Sequence, residues 1–256
     1  MVTKRGKQIL VLGASFQNKG AQAMLFSTIS EFSKRFPESV FYFSTDCVYE
    51  NEELYKFTPV NTHYENRYHV DIKQLISDII HGKSNMTTKY PEIKGVMNDI
   101  DFVVDISGYA LGSDWNYIRN KYYLDIIKFV KSYGKTIYLM PQSFGPFDYK
   151  EKETELKKSI SKIMKYPKVI FAREMEGKES LENEFKLKNV RYSPDIVLQS
   201  DKINIESVFN KKIDLKIPEI NSKKNVCIIP NRQIFKRGNE KKILGLYDNI
   251  INKLIS

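Results

Sequence analysis

Small and polar residues follow three apolar runs in this chain, and their types suit ligand binding. The segments that follow the runs are Gly13-Ala-Ser-Phe-Gln-Asn-Lys-Gly20, Asp105-Ile-Ser-Gly108 and Pro141-Gln-Ser-Phe-Gly-Pro146. Runs such as residues 102–104 are typical of strands buried on both faces of a parallel sheet. Because open α/β sheets bind ligands beyond the carboxyl ends of their strands, we expect a site built from strand ends.

Two carboxylates are candidates for proton transfer. Asp105 stands at a strand end beside Ser107 and Gly108, where it could act as a base or orient a hydroxyl, or else cap a turn. Asp195 belongs to a Ser-Pro-Asp turn and either faces the cleft or caps the next segment. Trp115, the only tryptophan, either stacks on a sugar face or fills the core.

Other residues are candidates for binding. Arg173 ends another apolar run, and its planar fork matches a carboxylate or phosphate, although a structural salt bridge is the alternative. Gln142 and Ser143 lie in a segment that two prolines should make a rigid, substrate-positioning loop. Asn18 and Gly20 lie in a strand-to-helix turn that either cradles a phosphate or is a plain connection, since no dinucleotide or P-loop spacing is present.

The pattern around these residues alternates between strands and helices, which predicts an α/β fold with a Rossmann-like parallel sheet. The predicted strands are 8–13, 40–44, 101–106, 136–140, 169–172, 190–192 and 225–230. The predicted helices are 20–36, 71–81, 117–133, 151–166, 177–185 and 241–255. The remainder of residues 47–98 is predicted to be an irregular excursion over the edge of the sheet.

The same pattern predicts a division into domains. Residues 1–200 form the α/β domain, residues 201–224 a connecting segment, and residues 225–256 the first strand and helix of an incomplete second domain. A single strand–helix pair cannot form its own core. We therefore expect either a terminal helix that packs down on the first domain or self-association, with the oligomeric state left open.

Composition narrows the class of protein and its surroundings. The 256 residues carry a net charge of +10, which favours anionic partners, although ordinary surface lysines account for part of it. No nucleic-acid motif is present, so a small anionic or membrane-bound substrate is expected instead. Cys47 and Cys227 are predicted to be free buried thiols in a reducing cytoplasm, and the spacing of His63, His69 and His81 predicts no zinc site.

The motifs occur in an order that resembles the polysaccharide pyruvyl transferase family, over roughly residues 8–232. They are Asn18-Lys-Gly-Ala-Gln-Ala23, Asp105-Ile-Ser-Gly108, Pro141-Gln-Ser-Phe-Gly-Pro146, Ala172-Arg-Glu174 with Ser180-Leu181, Pro194-Asp-Ile196 and Cys227-Ile-Ile-Pro-Asn231. The resemblance implies two Rossmann-like domains arranged as in GT-B glycosyltransferases. It also implies transfer of pyruvate from phosphoenolpyruvate to a pair of sugar hydroxyls during cell-surface or exopolysaccharide synthesis. No metal or organic cofactor is implied, so none is expected.

This resemblance assigns expected roles. Arg173 and Arg232 would hold the carboxylate and phosphate of phosphoenolpyruvate, and Asp105 or Asp195 would transfer protons. The expected acceptor is a glycan or lipid-linked glycan, reached in the cytoplasm or at the inner face of the membrane through a peripheral association. The full expected binding set is Asn18, Gly20, Ser107, Gly108, Trp115, Gln142, Ser143, Arg173, Asn231 and Arg232.

The sequence departs from the pattern of the family at three points, and these departures lead to alternative expectations about its function. Ile106-Ser-Gly108 stands where many members have a glycine triplet, Gln22 stands where they have an acidic residue, and the chain ends before the family's later basic site. The expectation is a truncated chain that is not catalytic by itself; the alternative is a compact active variant with its site in the first domain. A rival function on the same architecture is a glycosyltransferase that uses a nucleotide-sugar donor.

Overall fold

The computed structural model describes residues 6–16, 18–45, 52–61, 91–149, 154–200, 202–212, 226, 228, 234–235 and 238–255. The chain divides into two compact units, Met1–Lys212 and Ile213–Ser256. Several residues that carry predictions lie outside the described ranges, so the structure does not address them. They are both cysteines, the three histidines, Asn231, Arg232 and the predicted helix 71–81.

The first unit is built on an eight-stranded sheet in which every strand pairing is parallel. The strand order is β3-β2-β1-β4-β6-β7-β8, and β5 pairs with β6 beside this path. The strands are β1 (Gln8–Leu12), β2 (Val40–Thr45), β3 (Phe57–Asn61), β4 (Phe102–Asp105), β5 (Tyr109–Leu111), β6 (Thr136–Phe144), β7 (Val169–Ala172) and β8 (Val190–Tyr192). The predicted α/β class with a Rossmann-like parallel sheet is confirmed.

Helices connect the strands of this unit. They are α1 (Lys19–Arg35), α2 (Pro91–Met97), α3 (Tyr117–Ser132), α4 (Thr154–Ile163), α5 (Met175–Asn183) and α6 (Ile196–Gln199), with single 3₁₀ turns at Glu52–Leu54 and Ile205–Ser207. The longer ones follow the predicted apolar stripes: on α3, for example, Tyr123, Ile127 and Val130 are buried. Asn116 caps α3 by accepting a hydrogen bond from the Arg119 backbone N–H at 2.9 Å.

The core lies on both faces of the sheet because successive strand residues point to opposite sides. Leu10 and Val103 contribute to one apolar cluster, under α3, α4 and α5. Ile9 and Val104 contribute to the other, which includes Leu25 and Ile29 of α1. Burying each such aliphatic side chain contributes about 1.5–3 kcal/mol, so the sheet centre contributes strongly to the stability of the unit.

Three features differ from the predicted elements. Residues 57–61 form an additional edge strand, β3, where an irregular excursion was expected, and residues 109–111 form the unexpected short strand β5. The prediction that residues 141–146 form a rigid loop was wrong, because β6 continues through Pro141 to Phe144. The pairing of β6 with β7 shifts register between Leu139 and Gln142, and such a bulge accommodates the proline, which has no N–H to donate.

The segment after α6 packs against the first unit. Val208 is fully buried, and Phe209 forms an isolated antiparallel bridge with Tyr55 ahead of β3. The side-chain amide of Asn210 donates to the carbonyls of Glu53 and Tyr55 at 3.0 and 2.7 Å. Residues 202–212, which fall in the predicted connecting segment, therefore belong to the body of this unit.

The second unit is described mainly through one helix, α7 (Glu240–Ile255), which begins one residue before the predicted helix. None of its residues is buried. The rings of Phe235 and Tyr247 stack with centroids 6.1 Å apart. Within the described residues, no helix combines the length and the apolarity that crossing a membrane would require.

Candidate functional site

The loops that follow β1 and β4 meet where the strand order reverses direction. From β1 the chain continues to β2 and β3 on one side, then crosses to β4 on the other. Gly13, just after β1, has a φ of 78°, and a Cβ added there would lie 2.5 Å from the Cα of Ser107. Only glycine permits this close approach. In open α/β sheets this is the crevice in which ligands bind.

Helix α1 starts beside this crevice, and the side chain of Asn18 caps its N-terminus. The Asn18 side-chain oxygen accepts hydrogen bonds from the backbone N–H groups of Gly20 and Ala21, at 2.9 and 3.2 Å. These contacts satisfy amides that an anion would otherwise use. The local geometry of Asn18 and Gly20 is therefore that of a capped strand-to-helix turn.

Asp105 lies at the end of β4 and is almost completely buried, with 1% of its surface exposed. Its Oδ1 accepts hydrogen bonds from the Ser107 backbone N–H at 2.9 Å and from the Gln142 Nε2 at 3.0 Å. Burial raises the pKa of the Asp105 carboxyl above its ordinary value, and the hydrogen bonds from Ser107 and Gln142 oppose that rise. Asp105 thus fixes the turn that follows β4.

Gln142 extends this arrangement into the core. It is fully buried on β6, and its Oε1 accepts a hydrogen bond from the Tyr123 hydroxyl of α3 at 3.3 Å. Burial and the Asp105 charge hold the pKa of Tyr123 well above its ordinary value of 10.0, so the hydroxyl remains a donor. Asp105, Gln142 and Tyr123 are called the buried network below, and the half-buried Ser107 and the exposed Gly13 adjoin it on the loop side.

The bulge in β6 determines which of its residues belong to this network. Ile137 and Leu139 are buried in the regular part of the strand, and Pro141 and Gln142 are then buried in succession. The extra residue shifts the alternation, so that Ser143 lies at the surface side while Phe144 is buried again. Ser143 remains tied to the β4 turn, because its N–H donates to the Gly108 carbonyl at 2.8 Å.

A second group of polar residues occupies the ends of β6, β7 and β8 and is more exposed. Arg173 donates through Nε to the Ser143 hydroxyl at 2.7 Å and to Glu174 Oε1 at 3.1 Å, and through Nη1 to Asp195 Oδ2 at 2.9 Å. The Ser143 hydroxyl in turn donates to Glu174 Oε1 at 2.9 Å. Ser143, Arg173, Glu174 and Asp195 are called the ion-pair cluster below.

Asp195 has a structural task as well as its ion pair. Its Oδ1 accepts from the Val197 backbone N–H at 2.9 Å and so caps the short helix α6. Arg173 carries 28% exposure and Asp195 23%, so their pair lies at the rim of the sheet and not in the core. The salt bridge considered for Arg173 and the helix cap considered for Asp195 are therefore both present in the structure.

Trp115 lies in the loop after β5, covered by neighbouring side chains. The Arg119 guanidinium carbon is 3.4 Å from the centroid of its ring, and the Tyr109 ring is 5.5 Å away. The indole N–H is buried, with no hydrogen-bond partner in the described part of the chain. Its loop is held by the fully buried Asn120, whose side chain bonds the backbone of Gly112, Trp115 and Asn116.

The structure brings most of the predicted site residues to one edge of the sheet. The two groups are adjacent, because Gln142 belongs to the buried network and Ser143 to the ion-pair cluster. Glu174 was not among the predicted site residues, although its position beside Arg173 at a strand end was a signal for it. Among the described residues, no three histidine, cysteine or carboxylate side chains are placed to hold a metal ion.

Fold and site together define an α/β protein whose polar groups converge at the carboxyl edge of a parallel sheet. The model of the polysaccharide pyruvyl transferase family matches residues 18–256 of this chain. The chain therefore belongs to that family, which confirms the resemblance found in its motifs. A search of curated proteins found none that matches it.

Proposed function

We propose that this protein transfers pyruvate from phosphoenolpyruvate to a pair of sugar hydroxyls, forming a ketal on a cell-surface glycan or exopolysaccharide precursor. Membership of a transferase family whose description names a polysaccharide is the observation that carries the proposal. The acceptor is a free or lipid-linked glycan met in the cytoplasm or at the inner face of the membrane. We also propose, as predicted from the sequence, that a second Rossmann-like domain begins near residue 225.

The ion-pair cluster supports a reaction between an anionic donor and a hydroxyl acceptor. Arg173 uses Nε and Nη1 for its contacts with the cluster, and among the described residues Nη2 has no partner. That group is available to a carboxylate or phosphate oxygen. Glu174 and Asp195 already compensate the charge of Arg173. The sequence prediction that Arg232 also binds the donor is kept as part of this proposal.

The direct test of this proposal is a donor comparison with the purified chain. The protein is incubated with phosphoenolpyruvate or with nucleotide sugars, each with a panel of free and lipid-linked glycans. We expect phosphate release that depends on the acceptor, together with an acceptor whose mass increases by one pyruvyl ketal. Glycosyl transfer from a nucleotide sugar, without reaction of phosphoenolpyruvate, would contradict the proposal.

The role of Arg173 is tested by Arg173→Ala. We expect the KM for phosphoenolpyruvate to rise roughly 10- to 100-fold, because one or two hydrogen bonds to a charged ligand are lost. Arg173→Lys should recover part of the affinity, because it keeps the charge but not the fork. Arg35→Ala is the control: Arg35 is an exposed residue in the last turn of α1, at the opposite edge of the sheet. Unchanged donor binding in Arg173→Ala would remove Arg173 from the donor site.

A further inference from the structure

The buried network and the ion-pair cluster contain three carboxylates, Asp105, Glu174 and Asp195, and these differ in whether their oxygens are free to bind a ligand. Asp105 is 1% exposed, and its Oδ1 holds both Ser107 and Gln142. A group buried to this degree has little surface to offer to a sugar. It serves the proposed reaction by holding the turn after β4.

Asp195 is more accessible, but both of its oxygens are engaged. Oδ1 accepts from the Val197 N–H at 2.9 Å, and Oδ2 accepts from Arg173 Nη1 at 2.9 Å. A hydroxyl that used either oxygen would have to compete with the cap of α6 or with the guanidinium. Asp195 is therefore a positioning residue for Arg173.

Glu174 differs from both. Its side chain is 45% exposed, the highest fraction in the ion-pair cluster. Oε1 accepts from the Ser143 hydroxyl at 2.9 Å and from Arg173 Nε at 3.1 Å, which fixes the carboxylate from one side. Oε2 has no hydrogen-bond partner among the described residues, so it can accept a proton from a bound hydroxyl.

Resting on the function proposed above, we infer that Glu174 is the general base that takes the proton from the attacking sugar hydroxyl. Its carboxylate and the guanidinium of Arg173, whose Nη2 is unengaged, are in direct contact, since Arg173 Nε lies 3.1 Å from Glu174 Oε1. The acceptor hydroxyl and an anionic group of the donor can therefore be held side by side. Such an arrangement brings the two reactants together and provides the proton acceptor at the same place.

The step balances in atoms and protons. In the first half, C3 of phosphoenolpyruvate gains a proton from solvent, the sugar oxygen bonds to C2, and Glu174 takes the hydroxyl proton. In the second half, the bond between C2 and the phosphate oxygen breaks, and the second sugar oxygen bonds to C2. The second hydroxyl proton leaves with the phosphate as hydrogen phosphate, and Glu174 returns its proton to solvent.

The test is the isosteric variant Glu174→Gln, assayed with saturating donor and acceptor. Glutamine retains an oxygen that accepts from Ser143 and Arg173, so the contacts of the cluster are kept while the basic oxygen is lost. We expect kcat to fall by about 10²- to 10⁴-fold, the usual contribution of a positioned base, with little change in the KM for phosphoenolpyruvate. Glu174→Asp, which restores a carboxylate, should recover part of the rate.

Glu179→Gln is the matched control, since it removes an exposed carboxylate from α5, the helix that begins just after Glu174. Thermal unfolding of each variant shows whether the fold is intact. If Glu174→Gln turns over as fast as Glu179→Gln, the assignment of Glu174 is overturned and the transferase function stands. If Glu174→Asp is as slow as Glu174→Gln and both unfold at lower temperature, Glu174 is structural and the assignment also fails. If the wild type transfers no pyruvate at all, the proposed function itself fails, and the role of Glu174 falls with it.

Discussion

The buried network and the ion-pair cluster lie next to each other on β6, yet their side chains are arranged for different purposes. Gln142 is completely buried and bonded at both ends of its amide, whereas its neighbour Ser143 belongs to a cluster whose Glu174 is 45% exposed. Buried polar groups must be satisfied within the protein, so such a network specifies a geometry. Exposed groups that have atoms without a hydrogen-bond partner can instead bind a ligand.

We therefore expect the buried network to act mainly on stability and the ion-pair cluster mainly on the reaction. Substitutions in the buried network should first reduce stability, because they leave buried groups without partners or force the two loops apart. Substitutions in the ion-pair cluster should first reduce turnover or donor affinity, because exposed ion pairs contribute little to folding. Measuring unfolding and kinetics on the same variants separates the two regions.

The largest effect on stability is expected at Gly13. In Gly13→Ala the new Cβ would lie 2.3 Å from the Ser107 hydroxyl oxygen, and the residue would keep a φ of 78°. The left-handed conformation costs about 1–2 kcal/mol and the overpacking about 1–3 kcal/mol, so urea unfolding should show a loss of about 2–5 kcal/mol.

Gly134→Ala is the matched control for this variant. Gly134 also has a positive φ, of 65°, but nothing lies within 4 Å of the position of its Cβ. It should therefore show only the conformational cost of about 1–2 kcal/mol. Equal losses in the two variants would mean that the contact between Gly13 and Ser107 contributes nothing to stability.

A smaller effect is expected at the inner end of the buried network. Tyr123→Phe removes the hydroxyl that donates to Gln142 Oε1 at 3.3 Å, which leaves a buried oxygen unsatisfied. The free energy of unfolding should fall by about 1 kcal/mol. Tyr133→Phe, on a partly buried ring at the end of the same helix, is the control and should stay within about 0.5 kcal/mol of wild type. A stability equal to that of the control would argue against the hydrogen bond.

The smallest effect is a dependence of stability on pH that arises from Asp105. Burial holds the pKa of its carboxyl above the ordinary 3.8, so the folded protein binds this proton more tightly than the unfolded chain. Relative to Asp105→Asn, the wild type should therefore lose stability as the pH rises from the unfolded pKa through the folded pKa. Urea unfolding of both proteins across the acidic range measures this. A difference that grows in favour of the wild type would show that folding stabilises the charged carboxylate.

Much of this edge could be predicted from the sequence. Apolar runs such as residues 102–104 and 169–172 identified their strands, and the polar residues after them do lie at strand ends. The parallel sheet followed from the alternation of elements, since parallel neighbours need a crossover connection and that connection is usually a helix. The motifs around Asp105, Gln142 and Arg173 identified the family that the comparison then confirmed.

The parts that could not be predicted depend on pairing between distant segments. Pro141 is normally a signal that a strand ends, and only the register shift against β7 shows that β6 continues to Phe144. The short strands β3 and β5 likewise form because neighbouring strands complete them. Asp105, Glu174 and Asp195 cannot be ranked as bases from sequence, because the ranking depends on burial and on which oxygen is engaged.

The central claim is that the exposed Glu174, and not the buried Asp105, is the base. Its most direct test compares the turnover of Asp105→Asn and Glu174→Gln in one pyruvyl transfer assay. Both variants replace a carboxylate by an amide of the same shape. In both, the oxygen that accepts the hydrogen bonds seen in the structure can be retained. We expect Asp105→Asn to keep most of the wild-type kcat, while Glu174→Gln loses about 10²- to 10⁴-fold. A full rate in Glu174→Gln, with the loss in Asp105→Asn instead, would contradict the account and make the buried carboxylate the base.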